Sequence, residues 1–243
     1  MTHILDLCTV LTTPAPKATA TYAPIEHNAI HEKIIECIGK NNFTLMDTFA
    51  KGKSAESCIV NYTLKDNERK YDLSNEMGIR IGWKNSYNKT VSFGFAIGSE
   101  VFICTNGMVR GEYTIKKQHR QRDLQNYVTD LIEEYFGNIR ETHNANVELA
   151  KHLMSKEVFE DDAREIIGQL FIENKILNTK QLRIMSNELY HSTKFHNFNE
   201  CETITAWDLY NHGTEALKSS AVINDFSKHE NYNNFFIKNS NFF

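Results

Sequence analysis

The sequence predicts an α+β protein: an antiparallel β-sheet over about residues 43–117, covered by helices, with a helical C-terminal part. Three observations carry this reading. Apolar residues alternate with period two through the middle of the chain. The period changes to 3.6 at Leu124, Tyr127, Val128, Leu131, Ile132, Tyr135 and Phe136, an apolar stripe regular enough to cover a sheet. The chain is free of proline after residue 24.

The elements follow in order. Pro14, Pro16 and Pro24 sit in a Thr/Ala/Pro-rich segment, so residues 1–24 are expected to form an extended, partly mobile arm. Ala29, Ile30, Ile34, Ile35 and Ile38 recur at helical spacing and Gly39 is a natural stop, which predicts a helix over 26–39. Cys58, Val60, Tyr62 and Leu64 alternate; so do Met77, Ile79, Ile81 and Trp83, then Val91, Phe93, Phe95 and Ile97, then Val109, Tyr113 and Ile115. Residues 100–105 read as a further strand. Asn106-Gly107 joins it to the next, because both central positions of a type I′ turn need positive φ. After the stripe from Leu124, helical patterns run through 147–171, 179–190 and 205–217. The organisation expected is the arm, a single α+β domain over 25–220, and an Asn/Phe-rich tail over 221–243.

Alternation puts Arg80 and Lys84 opposite Ile81 and Trp83, and Arg110, Glu112, Thr114 and Lys116 opposite Tyr113 and Ile115. One sheet face is therefore apolar and the other polar and net basic. Thr90, Ser92, Gly94 and Ala96 fall on the polar face, where small side chains let a ligand backbone approach closely.

A chain of 243 residues, 41% of them hydrophobic, can bury a large core. No run reaches the length of a membrane span, and the first apolar stretch, 4–11, holds Asp6 and lacks a basic leader, so no membrane association or secretion is expected. Five scattered cysteines without Cys-x-x-Cys spacing read as buried thiols in a reducing compartment such as the cytoplasm. The net charge of −4 is uneven. Residues 79–122 hold eight Lys or Arg against two acids, a net +6, while the remaining 19 bases and 29 acids leave −10. That asymmetry points to a polyanionic partner; the same charges also serve to solvate an exposed sheet.

Gly52-Lys53-Ser54 lacks the glycine five positions earlier that a phosphate-binding loop needs, since Asp47 stands there. No Gly-x-Ser-x-Gly elbow or His-Glu-x-x-His motif occurs. His27 and His31, at i and i+4, read as surface histidines in preference to a metal pair. The acidic run Glu157, Glu160, Asp161, Asp162 and Glu165 reads as a solvated helix face in preference to a Mg²⁺ site. Ser86 and His119 have no locally specified acid to complete a hydrolytic grouping. No cofactor and no metal is expected.

Asn85-Ser86-Tyr87-Asn88-Lys89-Thr90, Phe93-Gly94-Phe95-Ala96, Val101-Phe102-Ile103-Cys104-Thr105-Asn106-Gly107, Ile115-Lys116-Lys117-Gln118-His119 and Trp207-Asp208-Leu209-Tyr210-Asn211, with Pro24-Ile25 and His27 ahead of them, resemble the phage/plasmid-like family known as domain of unknown function 932. The resemblance spans roughly residues 22–220; the arm and the tail depart from it. It implies a mobile-element context and supplies no activity to carry over. Asn106-Gly107, Cys104 and Trp207 also have structural readings, as a turn, a small strand residue and a core filler.

The leading expectation is a non-enzymatic nucleic-acid-associated protein that binds single strands during recombination or replication, possible as a homo-oligomer. Its interface is expected at Arg80, Lys84, Asn85, Ser86, Tyr87, Lys89, Arg110, Lys116, Lys117, His119, Arg120 and Arg122, where cations meet phosphates and aromatics such as Tyr87 and Tyr113 stack on bases. The alternative is a protein-interaction module acting on a host protein. A third reading is an enzyme working on nucleotides or nucleic acid through His119.

Overall fold

The structure, a computed structural model, describes residues 3–68, 77–101, 106–117, 124–219 and 225–239, with backbone alone at 100–101, 106–117 and 225–226. The architecture is α+β, as the two periods predict. Six strands stand side by side in chain order: β1 (His3–Leu5), β2 (Phe43–Ser54), β3 (Ser57–Asp66), β4 (Met77–Ser86), β5 (Phe93–Val101) and β6 (Asn106–Lys117). The chain divides into two compact units, Met1–Ser99 with Glu112–His143, and Glu100–Gly111 with Asn144–Phe243. This division falls inside the span 25–220 that the sequence suggests as one domain.

In the first unit, helices α2 (His27–Lys40) and α3 (Leu124–Gly137) cover one face of the sheet. Ile30, Ile34, Cys37 and Ile38 of α2 and Leu124, Val128, Ile132 and Phe136 of α3 form one buried cluster with Val60, Tyr62, Ile81, Trp83, Phe93 and Phe95 from three strands. Tyr127, Leu131 and Tyr135 of the predicted stripe are only partly buried, because a helix stripe lying on a sheet buries its centre line more deeply than its flanks. Helix α4 (Ile139–Met154) opens in this unit, where the Arg140 guanidinium holds the Asp66 carboxylate at 2.8 and 3.1 Å and donates to the Asn41 carbonyl at 2.6 Å.

In the second unit, β7 (Glu157–Phe159) pairs antiparallel with β8 (Thr203–Thr205). Around them stand α5 (Glu160–Gly168), a π-helical turn at Gln169–Glu173, α6 (Thr179–His191), α7 (Ala206–Leu217) and α8 (Asp225–Lys238). Helix α7 is buried on nearly all sides, and Tyr232 of α8 donates to the Tyr210 carbonyl at 3.0 Å. Gly213 permits this approach, since a β-carbon there would overlap the Tyr232 phenol.

Several sequence expectations change in physical detail. The segment read as an extended arm carries β1 and α1 (Leu7–Thr12); His3 to Leu5 pair with Ala50 to Gly52, and the Asp6 carboxylate caps α1 through Thr9. Strand β2 escapes the alternation test because register shifts at Leu45/Asp47 and Gly52/Ser54 move its side chains out of step. The runs 91–97 and 100–105 share one strand to Val101, since alternation continues through Gly98; residues 102–105 lie outside the described residues, and Asn106 and Gly107 open β6. The long helical pattern 147–171 is broken by β7. The tail read as Asn/Phe-rich forms α8, with Tyr232, Phe235 and Phe236 buried at helical spacing. Among the described residues no helix is long and apolar enough to cross a membrane.

Candidate functional site

The sheet face turned away from α2 and α3 is organised by register. Directly opposed residues share a face, so three rows run across β2, β3 and β4: Asp47, Thr63 and Arg80; Phe49, Asn61 and Gly82; Lys51, Ile59 and Lys84. Arg80 and Lys84 thus lie where the alternation places them, joined by Lys51 and by Lys53 at the β2 bulge. The Arg80 guanidinium lies 5.1 Å from the centroid of the Phe49 ring, a cation on an aromatic face. Lys84 is 5% exposed, its stem laid along Gly94; a β-carbon at Gly94 would come within 2.8 Å of Lys84 Cε. Gly94 leaves room for the Lys84 stem, and residues of this face on β3 to β5 are buried, Ile59, Asn61, Thr63 and Ala96 as well as Lys84, so Lys84 does not stand out from the face as the alternation alone suggests.

The Asn-Ser-Tyr run behaves differently. Asn85 and Ser86 are fully buried and Tyr87 nearly so. Asn85 Nδ2 donates to the Ile25 carbonyl at 2.7 Å, and Ser86 Oγ both donates to and accepts from Val91 at 2.9 Å, closing the β4–β5 turn. The Tyr87 hydroxyl accepts from the His27 N–H at 2.8 Å, one of the backbone donors that a helix start leaves unsatisfied. The two rings stack at 4.0 Å, the Tyr22 hydroxyl donates to the Tyr87 carbonyl at 3.1 Å, and burial pushes the Tyr87 phenol up to about 12. Lys89, at φ 62°, places its ammonium 4.6 Å from the Tyr22 ring centroid. These side chains clamp residues 22–27 onto the sheet. They correct the expectation that Asn85, Ser86 and Tyr87 offer donors and a stacking ring to a ligand, because each is engaged inside the fold.

Nor are His27 and His31 surface histidines. His27 is fully buried under Tyr87 and Trp83. His31 Nδ1 sits 2.9 Å from the Tyr62 hydroxyl, which accepts from the Trp83 indole; burial lowers the His31 pKa. Among the described residues, no group of three or more His, Cys, Asp or Glu could hold a metal ion.

A family model described as domain of unknown function (DUF932) matches residues 19–234. The chain belongs to the DUF932 family. Comparison with curated proteins and with solved structures returned no match. Within the DUF932 match, the distant elements Pro24-Ile25, His27 and Asn85-Ser86-Tyr87 meet in the clamp. Trp207-Asp208-Leu209-Tyr210-Asn211 forms the start of α7: Asp208 completes a capping box with Thr205, Trp207 and Tyr210 stack at 5.5 Å, and Asn211 Nδ2 donates to the Trp207 carbonyl.

Of the remaining expected site residues, Arg110, Lys116 and Lys117 belong to β6, where backbone alone is described, and His119, Arg120 and Arg122 lie outside the described residues. Sequence reasoning missed Phe49, Lys51, Lys53 and Asn61, which belong to the bulged β2 and its neighbour β3. It also missed a buried pair in which Ser99 Oγ lies 2.7 Å from His143 Nδ1. With Ser99 at 0% and His143 at 2% exposure the pair is closed to a substrate, and it ties α4 to the sheet.

Proposed function

We propose that this DUF932 protein is a non-enzymatic nucleic-acid-associated protein that takes single strands on the face of its sheet opposite α2 and α3. One observation supports the reading: the register of β2 to β4 sets Lys51, Arg80 and the largely buried Lys84 on one sheet face, with the Arg80 guanidinium 5.1 Å from the Phe49 ring centroid, in a protein whose net charge is −4. Cations supply affinity for the phosphate backbone without reading sequence, and an accessible aromatic supplies a surface on which any base stacks. Asp47, at the end of one row, limits the basic stretch on that side. The setting we propose is the cytoplasm of a bacterial host carrying a phage or plasmid, in keeping with thiols at Cys37 and Cys58 that burial holds protonated, pushing them up to about 11 and about 12.

The test is a fluorescence-anisotropy titration of labelled oligothymidylate at low salt. Lys51→Ala with Arg80→Ala weakens binding by about tenfold or more, while Lys156→Ala with Lys180→Ala, in the second unit, leaves it unchanged. Equal effects of the two pairs would remove the sheet face from the reading.

A further inference from the structure

The accessible part of the basic face is its rim. Inward from β2 the face closes, with Ile59 at 0% and Asn61 at 4% exposure on β3, whereas Phe49 and Lys51 on β2 are half-buried and Lys53 is exposed. Beyond β2 stands β1, whose Ile4 pairs directly with Lys51. Directly opposed residues share a face, so Ile4 extends the row of Lys51, Ile59 and Lys84 outward, while its neighbour Leu5 turns the other way, onto the core cluster. Ile4 is 88% exposed, the most open large apolar side chain among the described residues. A single exposed apolar residue is ordinary. Here the register sets its β-carbon about 5 Å from that of Lys51 and, on the diagonal, about 7 to 8 Å from that of Phe49. An aliphatic group, a cation and an aromatic ring thus share one corner of the sheet. Strand β1 lies ahead of the residues matched by the family model, so the outer part of this corner comes from a segment outside that match.

We infer that this corner is a base-packing subsite for a single-stranded polynucleotide, in which Ile4 packs on the face of an unpaired base, Phe49 borders it and Lys51 meets the phosphate beside it. Such a strand presents apolar ring faces at short intervals along a line of negative charge, the complement of apolar side chains set beside a lysine. In a duplex the ring faces are stacked inside, and Ile4 has nothing to pack on. The subsite therefore separates single strands from double ones, which phosphate contacts alone do not. The inference rests on the nucleic-acid reading for its ligand class and extends it by naming the contact that makes the face prefer single strands.

Ile4→Ser removes the apolar group, and Ile4→Trp enlarges it into a ring. Both are titrated beside the wild type, at one low salt concentration, with labelled oligothymidylate, an abasic oligomer of the same length and a duplex. Ile4 is exposed, so neither substitution shifts the melting temperature, and a change in binding is then no folding defect. For oligothymidylate we expect Ile4→Ser to lower affinity about fivefold or more and Ile4→Trp to raise it about threefold or more. The abasic oligomer and the duplex should bind all three proteins alike. Equal oligothymidylate affinities of the wild type and both variants would overturn the subsite and leave the nucleic-acid reading standing. An equal loss on the abasic oligomer would overturn base packing as the contact. A wild type that binds none of the three ligands would overturn both readings, and sedimentation showing self-association that Ile4→Ser abolishes would give the corner to a second copy of the chain instead.

Discussion

Tyr87→Phe separates a structural clamp from a ligand contact at the Asn-Ser-Tyr run, within the span that matches the family. The substitution removes one oxygen and leaves the ring, so the stack on His27 at 4.0 Å and 11° is retained. What it loses is the acceptor for the His27 N–H, held at 2.8 Å at a helix start where Glu26 makes no side-chain cap bond. His27 is fully buried, so that N–H gains no water in exchange. Leaving a buried donor unsatisfied costs about 1 to 3 kcal/mol. Urea denaturation should show this loss as a lower midpoint with an unchanged slope. The folded variant should bind oligothymidylate as the wild type does. A stability change below about 0.5 kcal/mol would refute the clamp, being smaller than a typical net hydrogen bond. Weaker oligothymidylate binding at unchanged stability would return Tyr87 to the ligand.

Other predictions follow from the same contacts. Ile132→Ala, in the cluster under the sheet, should cost about 2 to 5 kcal/mol in denaturant titrations, and Leu131→Ala, on the flank of the same helix, clearly less. Gly213→Ala sets a methyl against the Tyr232 phenol and should destabilise the α7–α8 contact by about 1 to 3 kcal/mol, visible as faster proteolysis within α8. Burial lowers His143 from 6.5 to about 4, so the folded protein binds fewer protons than the unfolded chain between these values. The stability associated with neutral His143 is complete above about pH 6.5 and is lost as the pH falls toward 4, by about 2 to 4 kcal/mol. His143→Gln should flatten that part of the pH–stability curve; His31 and His212, which burial also lowers, are common to both proteins and cancel in the comparison.

The legible parts of the fold are those whose side chains keep strict time. Strands β3 to β5 alternate without interruption where their core residues lie, and α3 repeats at four-residue steps from Leu124 to Phe136, so both periods emerge from the sequence alone. Strand β2 does not keep time: two bulges shift Phe49 and Lys51 out of phase, and these are residues on which the basic face depends. The clamp was illegible for another reason. Asn85, Ser86 and Tyr87 are polar and clustered, which resembles a binding rim, but two of their partners, Ile25 O and His27 N, lie sixty residues upstream, and no local pattern announces such a pairing. The tail held a usable signal in Tyr232, Phe235 and Phe236 at i, i+3 and i+4, obscured by its asparagine content.

The measurement that bears most directly on the basic sheet face is the salt dependence of oligothymidylate binding by the wild type and by Lys51→Ala/Lys53→Ala. On a single strand the logarithm of affinity falls with the logarithm of salt by about 0.7 for each phosphate neutralised, so removing two engaged lysines should reduce the slope by about 1.4. That reduction, with the fold intact by circular dichroism, is the predicted result. An unchanged slope, or no binding by the wild type at low salt, would contradict the account.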